Sequence, residues 1–70
     1  MNTQILKFSS TKFAQARRDA KLTQKELASA VNKSKQHVSN YERNLATPPA
    51  DDLLTYMNIL KVGVVDISEV

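Results

Sequence analysis

Two helix starts stand close together in the middle of the chain, and their spacing limits the fold more than any other feature. Thr23-Gln24-Lys25-Glu26 has the form of a capping box: the Thr23 hydroxyl can accept from the Glu26 amide while the Glu26 carboxylate reaches back to the Thr23 amide. A helix therefore begins at Gln24, with Leu27, Ala28 and Val31 facing inward. Asn32 follows as a non-glycine residue able to take the left-handed conformation that ends a helix. Ser34 is already the next N-cap. Behind it Val38, Tyr41 and Leu45 keep the helical period, while Lys35, Gln36, Ser39, Asn40 and Arg43 fall on the opposite, polar face, so a helix is expected over about 35–43. Only Asn32, Lys33 and Ser34 separate the two helices, so they must cross steeply, and the second projects as a rod.

The flanking segments extend the same pattern. Ser9-Ser10-Thr11 supplies N-cap residues for an earlier helix over about 11–20, whose apolar stripe is Phe13, Ala16 and Ala20. Asn44 is a second left-handed terminator, and Thr47-Pro48-Pro49 suits only a turn or a first helical turn. A fourth helix is expected over about 50–61, with Asp51 and Asp52 near its positive end and Leu53, Leu54, Met57 and Leu60 inward. For the last residues two readings stand. Asp66-Ile67-Ser68-Glu69 fits a capping box opening one helical turn, whereas Val62, Val64 and Val65 fit an extended segment. No repeat, low-complexity stretch or linker interrupts the pattern, so one all-helical domain of four to five helices is expected over 1–70.

A chain of 70 residues buries about 60% of its unfolded surface, and no second, catalytic domain is expected in it. It contains no cysteine, so neither a disulfide framework nor a thiolate zinc site staples it, and a helical core or an oligomer must supply stability. His37 is the only histidine and cannot build a metal site alone. Gly63 is the only glycine, so no glycine-rich phosphate loop exists, and no nucleophile–base–acid set is in view; neither enzymatic activity nor a metal or cofactor is expected. The opening MNTQILKFSS lacks the apolar core of a secretory leader, and no apolar run approaches the ~20 residues of a membrane span, so a cytoplasmic chain without a membrane partner is expected. The net charge of +3 is unevenly spread: residues 1–47 carry nine Lys/Arg against three acids, and from Pro48 onward one lysine faces four acids. A basic front and an acidic back fit a polyanion bound on one side.

At this point the sequence resembles a known family. Leu22-Thr23-Gln24-Lys25-Glu26-Leu27-Ala28, then Val31-Asn32-Lys33-Ser34, then Val38-Ser39-Asn40-Tyr41-Glu42-Arg43-Asn44 is similar to the Cro and phage-repressor type of helix-turn-helix, also called the XRE family. The likeness runs from residue 13 to about 60, with the helix-turn-helix unit at about 24–43. Asn32 and Asn44 stand where the family usually has glycines, and Lys21 replaces another. Asparagine tolerates the required backbone, whereas Lys21 is a poorer left-handed residue, and a small strain or a different end of the first helix is expected there. Residues 61–65 make a longer link than the family's usual one, near where such families often dimerise.

The resemblance implies a sequence-specific DNA-binding regulator that inserts its third helix in the major groove. Lys35, Gln36 and Asn40 sit at the positions that in this family reach base edges; lysine suits guanine acceptors, and the two amides suit adenine. Ser39 shares their face. Gln24 is expected to donate to a phosphate and brace the first residues of the third helix. Lys33, Arg43 and Asn44 flank that helix, where cations and amides meet phosphates and set register, and His37 in its first turn is a further DNA-contact candidate. The resemblance pairs Arg17 with Glu42 in a partly buried salt bridge. Phe13, Leu27, Val31, Val38, Tyr41, Leu53 and Leu54 are expected core. The expected partners are a double-stranded operator bound by a homodimer, as in a phage or plasmid type repressor. The alternative is a protein-interaction modulator that binds a second, larger regulator, with Val62, Val64, Val65, Ile67 and Val70 as its apolar surface.

Overall fold

Each helix begins after an extended residue, and at the first two that residue's side chain caps a helical amide. Ser9, Thr23 and Ser34 all hold extended backbone before α1 (Ser10–Asp19), α2 (Gln24–Ser29) and α3 (Lys35–Glu42), and Pro49 precedes α4 (Ala50–Leu60). The computed structural model describes residues 6–70; residues 1–5, and with them the start of the expected 1–70 domain, lie outside the described residues. The Ser9 hydroxyl accepts from the Lys12 amide at 3.2 Å. The capping box at α2 is closed on both sides, by Glu26 N–H to Thr23 Oγ1 at 3.0 Å and Thr23 N–H to Glu26 Oε1 at 2.8 Å. The Thr23 backbone amide, and after it the Thr23 side chain, hold the exposed Glu26 carboxyl below the usual carboxylate range, because they favour its charged form. Ser34 holds the N-cap backbone, but its hydroxyl lies 3.0 Å from His37 Nδ1 and caps no amide.

All four helices end by one device. Lys21, Asn32, Asn44 and Lys61 take φ of 59°, 58°, 61° and 58°. The residue after each donates its amide to the carbonyl five positions back: Leu22 to Arg17, Lys33 to Ala28, Leu45 to Asn40 and Val62 to Met57. Lys21 thus takes the left-handed turn itself, and α1 ends at Asp19 just before it. The only glycine, Gly63, is not among the left-handed residues. This device also corrects the placement of Leu45. The chain has left α3 at Asn44, so Leu45 is not on the inward stripe and is 64% exposed.

The core is an aromatic cluster closed by aliphatic side chains. Phe13 of α1 meets Tyr56 of α4 at 5.4 Å and Tyr41 of α3 at 6.4 Å between ring centroids, both edge to face, and Phe8 lies 5.3 Å from Phe13. Leu27, Ala28, Val38 and Leu60 complete it, with Val31 half-buried at its margin. Tyr56, absent from the expected core, is fully buried, whereas Leu54 is 62% exposed and is not core. Residues 54 and 56 are about 200° apart on a helix, so seating the largest side chain of α4 between Phe13 and Tyr41 turns Leu54 outward. Leu53 and Met57 are half-buried at the edge of the inward face.

The tail follows neither sequence expectation fully. Residues Val64–Ile67 make a 3-10 turn, opened by Gly63 N–H donating to Asp66 Oδ2 at 2.7 Å, one turn earlier than the expected 66–69 box. Ser68–Glu69 is then a short strand, β2, antiparallel to β1 (Lys7–Phe8), with Phe8 opposite Ser68 and Lys7 opposite Glu69. Ser9 N–H donates to Ile67 O at 2.8 Å, Lys12 Nζ donates to Ser68 O at 2.8 Å, and Ile67 is buried. The two ends of the described chain are therefore laced together beside α1. This short ladder decorates an all-α fold.

Candidate nucleic-acid interface

The pattern of α3 separates cleanly into a buried and an open side. Val38 and Tyr41 face the core, while Lys35, Gln36, His37 and Arg43 are exposed and Ser39 and Asn40 half-buried. Gln36 Nε2 donates to Asn40 Oδ1 at 2.8 Å, one helical turn apart on the open side. The bond leaves the Gln36 oxygen as an acceptor and the Asn40 amino group as a donor. In kind, these are the complement of the donor and acceptor that an adenine edge presents in a major groove.

A network at the far end of α3 fixes its position. Glu42 accepts from Arg17 Nε at 2.5 Å, from a terminal nitrogen of Arg17 at 3.2 Å, and from Gln24 Nε2 at 3.0 Å. The remaining arm of the Arg17 guanidinium donates to Leu22 O at 2.8 Å in the turn between α1 and α2. One carboxylate therefore ties α1, the following turn and α2 to α3, and the two charged side chains are only 13% and 8% exposed. Gln24 braces the last residue of α3, not its first residues. The second hydrogen of its amide nitrogen remains as a donor.

The other sequence candidates lie around this frame. Lys33 in the α2–α3 turn has its ammonium 4.0 Å from Asp52 Oδ2 of α4, and its side chain is 40% exposed. His37 is held beside Ser34 at the start of α3. Arg43 and Asn44 are exposed at the end of α3, Asn44 in the left-handed conformation. Asp52 was not among the sequence candidates. Its i, i+4 relation to the buried Tyr56 is the signal that marks it as inward-facing.

Residues 13–67 match the family model described as helix-turn-helix. The chain belongs to the XRE/Cro-type helix-turn-helix family. As a member, it is a DNA-binding regulator of the XRE kind, and α2 and α3 are its helix-turn-helix unit. Neither a curated protein nor a solved structure matches the chain. Among the described residues no helix is long and apolar enough to cross a membrane.

Proposed function

We propose that the protein is a sequence-specific repressor of phage or plasmid type that lays α3 in the major groove of a pseudo-palindromic operator. The observation that carries this reading is the open face of α3, where Lys35 and the joined amides of Gln36 and Asn40 stand free of the core on a helix held at its other end by the Glu42 network. In this reading Lys35, Gln36, Ser39 and Asn40 meet base edges. Gln24, Lys33, His37, Arg43 and Asn44 meet phosphates and set register. A homodimer presents two copies of α3 to half-sites about 34 Å apart.

The deciding experiment is binding to DNA from beside the protein's own gene at two salt concentrations, with Gln36→Ala as the control. Losing one good amide contact costs about 1–3 kcal/mol, so affinity for the specific site is expected to fall by about fivefold or more while non-specific binding stays close to wild type. Equal affinities of the two proteins for that site would overturn the reading.

A second reading is supported by the apolar surface at the tail. Val64, Val65 and Val70 are 48%, 63% and 73% exposed. Beside them lies a groove of about 510 Å³ between α1 and the 3-10 turn, lined by residues including Ala16, Leu60, Val62 and Val65. Such a surface suits a modulator that holds a larger regulator. Stable complex formation by a folded protein that binds the adjacent DNA no better than random DNA would favour it.

A further inference from the structure

Asp52 of α4 carries an unusual combination of burial and incomplete pairing. Its Oδ2 atom is buried and accepts no hydrogen bond among the described residues, and the same holds for the hydroxyl of Tyr56, one turn along α4. A buried carboxylate oxygen without a partner is costly and needs compensating charge. The ion pairs among the described residues are Arg17–Glu42 and Lys33–Asp52, so the cation that faces Asp52 is Lys33. Negative charge at Asp52 is also felt by Tyr41 and Tyr56: burial first, and then the Asp52 charge among the smaller causes, pushes both phenols up.

Lys33 occupies the short turn that leads into α3, with its backbone amide fixed on Ala28 O at 3.0 Å. Its ammonium lies 4.0 Å from Asp52 Oδ2, too far for a hydrogen bond but close enough for attraction, and the flexible stem lets it swing. The lysine thus has two destinations, the Asp52 carboxylate within the protein or a phosphate outside it. Reaching out to a phosphate draws the ammonium away from Asp52.

We propose that Asp52 is a positioning residue that restrains Lys33 from the DNA backbone. Lys33 contacts a phosphate only by giving up its internal partner, and this lowers the affinity for DNA of any sequence. The inference rests on the DNA-binding reading and adds a regulating contact to it. Asp52 touches no DNA itself; it acts through Lys33.

The test is a four-protein cycle of wild type, Asp52→Asn, Lys33→Met and the double variant. Each is titrated with a random-sequence duplex of about 20 base pairs between about 50 and 200 mM salt, the range over which phosphate contacts dominate. Asp52→Asn is expected to tighten binding about three- to tenfold at the lower salt and to steepen the salt slope by about 0.9, the signature of one added phosphate contact. In the Lys33→Met background the same change should alter binding less than about twofold, with no change of slope. Unchanged or weaker binding by Asp52→Asn overturns the proposal, as does equal tightening with and without Lys33, which would reveal only a general loss of negative charge. Melting curves of the four proteins without DNA give a second readout. Non-additive shifts in Tm are expected, and strictly additive ones would overturn the pairing. Asp52→Ser replaces Asp52→Asn should the asparagine variant not fold. Absence of duplex binding by the folded wild type would instead bring down the DNA reading itself, so the two failures are distinguishable.

Discussion

At the scale of single residues, two buried polar groups have opposite standing. Arg17 and Glu42 are almost fully satisfied, with the guanidinium bonded to Glu42 and Leu22 O and the carboxylate accepting from Arg17 and Gln24. Removing one partner strands the other charge, so Arg17→Ala is expected to cost about 3 kcal/mol, read as a fall in Tm of at least ~10 °C, and to weaken DNA binding through loss of fold. Tyr56 is the reverse: its ring is fully buried against Phe13 and Tyr41, yet its hydroxyl has no partner. Tyr56→Phe keeps the ring packing and removes the orphaned group, so a gain of about 1 kcal/mol is expected in thermal unfolding. The same residue has a pH consequence. Its phenol is raised above the ordinary value of 10.0 by burial, so its contribution is fully present below pH 10 and is lost as pH rises beyond it. The stability of wild type should therefore fall more steeply above pH 10 than that of Tyr56→Phe, and alkaline melting curves of the two would show it.

At the scale of elements, the helix starts were legible because capping is local chemistry. Thr23 and Glu26 satisfy each other within one turn, and the bonds appear as the residue types require. Helix ends were legible at Asn32 and Asn44 for the same reason, since asparagine marks a left-handed site. At α4 the end near residue 61 was legible, but its left-handed close was not. Lys61 carries no such mark, and it adopts φ of 58° because Val62 must turn back to bond Met57 O and pack on the core. A lysine in that conformation is strained by about 1–2 kcal/mol, so Lys61→Gly is expected to raise stability by about 0.5–1 kcal/mol in denaturant titrations once glycine's greater unfolded freedom is offset. A loss of stability would show that the lysine stem makes compensating contacts.

At the scale of the whole molecule, the ends of the described chain close over α1. Ile67, 1% exposed, is the apolar anchor of that closure, backed by the bonds from Ser9 and Lys12 and the pairing of Phe8 with Ser68. Ile67→Ala is expected to cost about 3 kcal/mol and to be seen as early loss of amide protection at Ser9 in hydrogen exchange. Little change in either would mean that α1 holds its place without the tail. Four helices, their starts, the polar face of α3 and the family to which they belong could be read from the residues alone. Each of these depends on residues within one or two turns of one another. Which way α4 faces, what becomes of the tail and which internal acid Lys33 meets came from the packing of the folded chain. Those outcomes depend on which side chain fills a shared core and on groups far apart in the chain. Leu54 and Tyr56 have similar claims to the inside on local pattern, and the space between Phe13 and Tyr41 admits the ring.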